Sequence, residues 1–266
     1  NQDHKTAFTL TRMRALLKAI GNPQHHFPSA HLAGTKGKGS TAAMLAAIMQ
    51  AAGYRVGCYL SPHVNRIEER ICVAGKQISS PDLLTAFRIV IPAVEKLDQK
   101  ASHKKISGPT WFEVLTAVAF THFKRMQVDL AVIETGLGGR LDATNLCNPV
   151  VSLITSISLD HTEVLGNTIR AIATEKAGII RRGIPVVSTA IHPDAFRVIV
   201  EKARAQRSKL FLLNRDFAIK QSTNTKPGGP CQAALHSFEI QTPLESQGTV
   251  YKTAMAGIHQ AENAAS

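Results

Sequence analysis

Cysteine is scarce in this sequence and shows no pairing pattern. The 266 residues contain four cysteines, which are Cys58, Cys72, Cys147 and Cys231. None forms a C-x-x-C pair, and no histidine lies at a spacing typical of a zinc site. We therefore expect free thiols rather than disulfides or structural zinc, and the sequence assigns them no role.

Long apolar runs are also absent. No stretch reaches the roughly 18 apolar residues that a membrane-spanning helix needs. The opening segment NQDHKTAFTL lacks the apolar core of a signal peptide. These absences predict a cytoplasmic protein without a membrane partner.

Aromatic residues are few. Acidic residues are also few relative to Lys and Arg, which gives a formal net charge of +12. Such an excess of Lys and Arg can indicate nucleic-acid binding. Here the basic residues are scattered, in clusters no longer than Lys104-Lys105 or Arg181-Arg182, and few aromatic rings are available to stack on bases. The pattern favours small anionic substrates and predicts no nucleic-acid partner.

Apolar, β-branched runs alternate with helical patterns along most of the chain. This alternation predicts an α/β fold with a mostly parallel sheet flanked by helices. The predicted strands are 29–33, 55–60, 128–134, 150–157, 184–188 and 209–213. The predicted helices are about 8–20, 40–52, 81–97, 110–126, 168–180 and 193–206.

The C-terminal part departs from this alternation. Residues 221–236 are rich in turn formers and predict a mobile surface loop, whereas residues 238–254 predict a small β-hairpin. A helix then begins in the terminal segment AGIHQAENAAS. We expect one domain over 1–256 and, over 257–266, the start of a linker to a further C-terminal domain.

The segment HLAGTKGKGST at 31–41 lies between a predicted strand and a predicted helix. Glycines let backbone N–H groups approach an anion, and the following helix adds its positive N-terminal end. Lys38 adds a charge for the β- and γ-phosphates. The strict G-x-x-x-x-G-K-[ST] pattern is not met, so an ordinary glycine-rich turn is the alternative.

Other polar residues follow three further predicted strands. Ser61, Glu134 and the pair Asp160-His161 each stand just past a strand end, where open α/β sheets bind ligands. Ser61 and Glu134 offer oxygen ligands for Mg²⁺, whereas a lone histidine is more often a structural hydrogen-bonding residue. We expect these loops and the glycine loop to meet in one crevice.

Lys176 lies in the apolar helical segment IATEKAGII. A buried amine with a lowered pKa can react, and carbon dioxide would convert it to a carbamate that can bind a metal. A lysine whose amine reaches solvent, or one paired with Glu175, is the alternative. The residues alone leave this question open.

Seven segments together resemble the folylpolyglutamate synthase and dihydrofolate synthase family of the Mur ligase superfamily. In chain order they are GTKGKGST, SPHVNRIEERI, TWFEVLTAVAF, ETGLGGRLDATN, LDHTEVLG, EKAGIIRRGIPVV and GIHQAENAA. The resemblance covers nearly the whole chain and implies a P-loop NTPase-like Mur ligase central domain. It also implies an ATP- and Mg²⁺-dependent ligase that adds L-glutamate to a folate or dihydropteroate carboxylate through an acyl phosphate.

The resemblance implies roles for named residues. The ATP-binding set is Thr35, Lys36, Gly37, Lys38, Gly39, Ser40 and Asn263. The metal set for two Mg²⁺ ions is Ser61, Glu134, His161 and Lys176 as its carbamate. Lys38, Lys176 and His161 are the expected catalytic residues.

The expected substrate-binding residues form two groups, Thr110, Trp111, Phe112 and Glu113, followed by Leu141, Asp142 and Ala143. Thr110 and Glu113 also fit a helix capping box, and Trp111 could equally be a core residue.

The resemblance also has consequences for size. Family members continue into a smaller second domain that helps to bind the nucleotide, so we expect little ligation from this chain alone. The resemblance also implies a monomeric protein. Another Mur-type amino-acid ligase, or a non-catalytic polyphosphate-binding module, is the alternative function. Whether dihydrofolate synthase, folylpolyglutamate synthase or both activities are present is not encoded in these motifs.

Overall fold

A computed structural model describes residues 9–103, 107–224, 236–242, 249–253 and 259–265 of the chain. They form an eight-stranded sheet flanked by helices and a three-stranded antiparallel sheet. The predicted α/β class, mostly parallel sheet and small C-terminal hairpin are confirmed. Cys231 and Lys104-Lys105 lie outside the described residues.

The large sheet has the strand order β4-β3-β2-β5-β1-β6-β7-β8. Its strands are β1 (Ser29–Ala33), β2 (Val56–Tyr59), β3 (Ile71–Val73), β4 (Lys76–Gln77), β5 (Leu130–Glu134), β6 (Pro149–Ile154), β7 (Val186–Ser188) and β8 (Leu210–Leu212). The six predicted strands pair in parallel. The short strands β3 and β4, which the sequence analysis missed, extend the sheet beyond β2, with β3 antiparallel to β2 and β4 antiparallel to β3.

Eight α-helices are described. They are α1 (Thr11–Ala19), α2 (Lys38–Ala51), α3 (Ser80–His103), α4 (Trp111–Arg125), α5 (Thr162–Leu165), α6 (Ile169–Lys176), α7 (Pro193–Ala205) and α8 (His259–Ala265). Helix α3 runs beyond its predicted end at residue 97 and contains Pro92. Within the described ranges, no helix has the length and hydrophobicity needed to cross a membrane.

Helices cover both faces of the sheet because its central strands are apolar on both sides. On β5, Ala131 and Ile133 pack in one core cluster with residues of α4, whereas Val132 packs on the opposite face with Ala42 and Ala46 of α2. A third cluster places Ile172 of α6 beneath the β6–β7 half of the sheet. Burial on both faces is typical of a parallel sheet.

The C-terminal sheet contains β9 (Ala218–Asn224), β10 (His236–Gln241) and β11 (Thr249–Thr253), in the order β11-β10-β9. The predicted hairpin corresponds to β10 and β11, which pair antiparallel. The predicted loop at 221–236 is wrong for residues 221–224 and 236, because residues 221–224 pair as a strand with β10 and residue 236 begins β10. Residues 225–235 lie outside the described residues.

Strands β2, β5, β1 and β6 are neighbours at the centre of the sheet and run in the same direction. The segments that follow them therefore leave the same edge. These segments contain the glycine loop, Ser61, the residues after Glu134 and the pair Asp160-His161. The sheet thus brings the four predicted loops to one edge, the edge at which open α/β sheets bind ligands.

Candidate functional site

The glycine loop joins β1 to α2. Gly37, which precedes the first residue of α2, has φ of 86° in the left-handed region, and a Cβ there would overlap the Asn263 side chain. The Thr41 hydroxyl donates a hydrogen bond to the carbonyl of Asn263 at 3.0 Å. Helix α8 therefore packs directly against the loop, with Asn263 beside the turn.

The loop is also anchored to the end of β6. The Thr155 hydroxyl donates to the Lys36 carbonyl at 2.7 Å, and the backbone N–H of Ser158 donates to Thr35 Oγ1 at 3.1 Å. A Cβ at Gly34 would overlap the Thr155 side chain. These contacts hold the loop in a fixed shape, with Gly39 and Ser40 in the first turn of α2.

Lys38 directs its amine to the centre of the loop. Its Nζ donates to the carbonyls of Gly34 at 3.1 Å and Thr35 at 3.4 Å. The same atom lies 3.8 Å from Glu134 Oε1. A partly buried positive charge therefore lies within the loop.

Glu134 ends β5 beside this amine and is only 3% exposed. The backbone N–H of Ser61 donates to Glu134 Oε2 at 3.1 Å. Burial raises the pKa of Glu134, while the Ser61 N–H and the Lys38 charge oppose that rise. A carboxylate and a serine thus meet beside the loop, which is a suitable start for a Mg²⁺ site because this ion prefers oxygen ligands.

His161 is the least constrained of the predicted ligands. It adopts a left-handed backbone with φ of 47°, and its side chain is 55% exposed, 3.8 Å from both Asp160 and Glu163. Across the described part of the chain, no group of three or more His, Cys, Asp or Glu residues could hold a metal. The role of His161 as a metal ligand stays a prediction.

Lys176 is buried, with 4% exposure, and its Nζ donates to the Gly34 carbonyl at 2.6 Å. Burial, followed by the Lys38 charge, lowers the pKa of Lys176 to about 8. Both alternatives for this lysine are wrong, because its amine lies inside the protein and Glu175 binds Arg140. The structure brings Lys176 to the glycine loop, a contact that sequence spacing does not reveal.

We expect Lys176→Met to stabilise the fold at pH 7 by about 1–3 kcal/mol in buffer depleted of carbon dioxide. In the unfolded chain the Lys176 amine keeps its proton up to its ordinary pKa of 10.5, whereas in the folded chain the amine loses that proton from about pH 8. The unfolded state binds more protons in that window, so stability of the unmodified protein rises there and the advantage of methionine shrinks. Urea unfolding at pH 7 and pH 10 measures both effects.

The exposed Lys18, substituted by methionine, is the control and should show no such pH dependence. A Lys176→Met protein that is less stable than the wild type at pH 7 would contradict a charged, desolvated amine.

Asp142 organises the loop that follows β5. Its carboxylate accepts hydrogen bonds from the backbone N–H of Leu137 at 2.9 Å and of Thr144 at 3.0 Å, and from the Thr144 hydroxyl. The Thr144 oxygen in turn accepts from His31 Nε2 at 2.9 Å. Burial, followed by the charge of Arg181, lowers the pKa of His31 to about 3, so this histidine is neutral.

The predicted substrate residues differ in their surroundings. Asp142 is buried, and its carboxylate binds groups of its own loop. Ala143 packs in the core. Leu141 is half-buried. In this group, only Leu141 retains a partly accessible side chain.

The second predicted substrate group begins helix α4. Thr110 and Glu113 form the expected capping box, with the Thr110 N–H donating to Glu113 at 2.6 Å, and Glu113 also pairs with Arg12. Phe112 packs against Gly136, where a Cβ would collide with its ring. The core alternative for Trp111 is wrong, since this residue is 55% exposed.

Sequence reasoning did not single out Arg70. It is buried, donates from Nε to His63 Nδ1 at 2.8 Å, and lies with its guanidinium carbon 4.9 Å from the Trp111 ring centroid. Its position inside SPHVNRIEERI was the only available signal, and that segment contains several charged residues.

A nucleotide-type glycine loop, a parallel sheet and an acidic group at the strand ends define an α/β domain of the Mur ligase type. Residues 32–266 match the model of the Mur ligase middle domain, and the chain belongs to this family. The resemblance derived from the seven motifs is confirmed.

The chain is similar in sequence and in structure to proteins named for folate ligation. The chain is 39% identical over 257 residues to the dihydrofolate synthase/folylpolyglutamate synthase of Bacillus subtilis, covering 96% of this chain and 57% of that protein. Folylpolyglutamate synthase of Mycobacterium tuberculosis, solved with ADP and AMPPCP, superposes with a TM-score of 0.87 at 35% identity, covering 97% and 57%. A complex of FPGS with AMPPCP and folate gives 0.87 at 37% identity, covering 96% and 60%.

The chain spans about half the length of the curated relatives that it matches.

Proposed function

We propose that this chain is the nucleotide-binding part of an ATP-dependent ligase that adds L-glutamate to the carboxylate of folate or dihydropteroate. The observation that carries the proposal is the meeting of Lys38, Glu134 and Ser61 beside the glycine loop. Similarity to proteins named folylpolyglutamate synthase, and to one solved with AMPPCP and folate, supports the choice of substrates.

In this proposal the loop backbone from Thr35 to Ser40 surrounds the phosphates, and the N-terminal end of α2 faces their negative charge. Lys38 supplies the charge that neutralises the transferred phosphate group. Asn263, beside Gly37, limits the outer side of the nucleotide site. These groups would position the phosphates and neutralise their charge, which are the main contributions a protein makes to phosphoryl transfer.

Magnesium fits the residues at this edge. The buried Glu134 carboxylate and the Ser61 side chain would hold one ion, while His161 and Lys176, as its carbamate, would complete a second site. Bound magnesium would supply charge neutralisation for the phosphates during transfer. The lowered pKa of Lys176, about 8, leaves roughly a tenth of the amine neutral at pH 7, and the neutral amine is the form that reacts with carbon dioxide.

The proposed chemistry has two steps. An oxygen of the acceptor carboxylate attacks the γ-phosphorus of ATP, and ADP leaves. The neutral amine of glutamate then attacks the acyl carbon, the nitrogen of the tetrahedral intermediate loses a proton to water, and the intermediate collapses to the amide as phosphate leaves with the bond electrons. Holding both reactants in one crevice lowers the barrier chiefly by orientation.

The proposed partners are small molecules, and Trp111 and Leu141 are the accessible members of the predicted acceptor site. A monomeric state, the absence of nucleic-acid binding and a cytoplasmic location belong to the same proposal. The second domain that the family resemblance implies would supply the remaining nucleotide contacts.

Acceptor-dependent ATP turnover tests the proposed function. The full-length protein is incubated with MgATP, L-glutamate and either dihydropteroate or tetrahydrofolate, and the ADP and amide products are quantified. We expect equal amounts of ADP and amide, and little ADP when the acceptor is omitted. Salt-sensitive DNA binding without acceptor-dependent ATP turnover would overturn the proposal in favour of a non-catalytic module.

A further inference from the structure

Arg70 is a buried cation at the edge of the crevice. It ends the short 3-10 helix Ile67–Arg70, immediately before β3, and it is only 9% exposed. The segment that leads to it starts at Ser61, whose N–H binds Glu134. Arg70 thus belongs to the same inter-strand segment as the predicted metal ligand Ser61.

The protein provides a hydrogen-bond partner for only one of the three guanidinium nitrogens of Arg70 within the described residues. Nε donates to His63 Nδ1 at 2.8 Å, and one face of the group lies on Trp111 at 4.9 Å. Within the described residues, the terminal nitrogens of Arg70 have neither a hydrogen bond nor an ion pair. Other arginines near the crevice are paired, namely Arg12 with Glu113, Arg66 with Glu68 and Arg140 with Glu175.

A purely structural role leaves this arrangement unexplained. Arginine is seldom buried to this degree without an anionic partner, because removing the charge from water is costly. Contact with an aromatic face offsets only a part of that cost. The two terminal nitrogens therefore remain available for an anion that the protein itself does not provide.

The neighbours of Arg70 indicate which anion fits. Trp111 is 55% exposed, and Arg70 ends the segment that begins at Ser61, whose backbone N–H donates to Glu134. The phosphates of the nucleotide already have the glycine loop and Lys38. A guanidinium fork matches a carboxylate in two parallel hydrogen bonds.

We propose that Arg70 binds the reacting carboxylate of the acceptor substrate, while Trp111 contacts the adjoining ring system. This inference rests on the proposed function. The charge of Arg70 would reduce repulsion between the acceptor carboxylate and the γ-phosphate, and its two donors would orient the attacking oxygen. Arg70 forms no covalent bond and transfers no proton.

Arg70→Met tests this assignment, since methionine keeps an apolar contact with Trp111 but removes the donors. Arg70→Lys keeps the charge without the fork. Arg66→Met is the matched control, because Arg66 lies in the same segment with a side chain that is 66% exposed. Thermal unfolding and AMPPCP binding with Mg²⁺ establish that each variant is folded and retains its nucleotide site.

The measured quantity is the affinity for the acceptor relative to its carboxamide, determined by calorimetry with AMPPCP and Mg²⁺ present. Dihydropteroate and its carboxamide form one pair, and tetrahydrofolate and its γ-carboxamide form the other. The pair is chosen according to which acceptor the wild type consumes. We expect the wild type to favour the carboxylate by about 10- to 100-fold, as expected for hydrogen bonds to a charged group.

We expect Arg70→Met to reduce this preference to within about threefold, Arg70→Lys to give an intermediate value, and Arg66→Met to match the wild type. An unchanged preference for the carboxylate over the carboxamide in Arg70→Met would overturn the assignment. A change confined to the KM for glutamate in the ligation assay would also overturn it. If the wild type shows no acceptor-dependent ATP turnover, the proposed function fails. If it turns over acceptor and Arg70→Met keeps the preference, only the role of Arg70 fails.

Discussion

Replacement of Lys176 by alanine is expected to reduce ligation to below about 1% of the wild-type rate, as loss of a main electrostatic group in an active site does. The reason is geometric. The Lys176 amine is buried and contacts the Gly34 carbonyl at 2.6 Å, so a carbamate formed on it would place two oxygens beside the glycine loop. Alanine removes both oxygens and leaves the crevice without that ligand.

Amide formation is measured at saturating ATP, glutamate and acceptor. Addition of formate or acetate should partly restore activity, because a small carboxylate can occupy the space of the lost carbamate. Lys18→Ala, a change at an exposed position of α1, is the control and should retain full activity. Full activity in Lys176→Ala would refute the carbamate role.

Lys38→Met is expected to lower acceptor-dependent ATP turnover by about 10²- to 10³-fold, the usual effect of removing one electrostatic group from a transition-state site. Methionine keeps most of the side-chain volume but removes the charge that lies 3.8 Å from Glu134 Oε1. Burial would then raise the pKa of Glu134 without the opposing Lys38 charge, which would weaken the proposed metal site at this carboxylate.

Lys76→Met, on the exposed edge strand β4, is the control for Lys38→Met. The kinetic readout is kcat together with the KM for ATP, measured at several magnesium concentrations. We expect kcat to fall and the magnesium requirement to rise. A variant with wild-type turnover would show that this lysine does not act on the phosphates.

The position of the site follows from sequence for a simple physical reason. Parallel strands share one carboxyl edge, so polar residues found just after four buried strands must meet there. Alternation of apolar runs with helical patterns predicted β1, β2, β5 and β6, and this was enough to bring Lys38, Ser61 and Glu134 together. The capping box of Thr110 and Glu113 was predictable because it is a local pattern.

Long-range contacts were not predictable in the same way. Contact of Lys176 with Gly34 spans 142 residues, and only the packing of α6 against the sheet brings the two together. Strand β9 was missed because its backbone pairing with β10, rather than apolar side chains, defines it.

Binding of AMPPCP to the 266-residue chain, titrated calorimetrically with Mg²⁺ and with EDTA, tests most directly whether these groups share one metal-nucleotide site. We predict binding that weakens at least about tenfold when EDTA replaces Mg²⁺, the scale of one lost ionic interaction. In Glu134→Gln the difference between the two conditions should largely disappear. Equal affinity with Mg²⁺ and EDTA in the wild type, or an unchanged magnesium dependence in Glu134→Gln, would contradict a shared site.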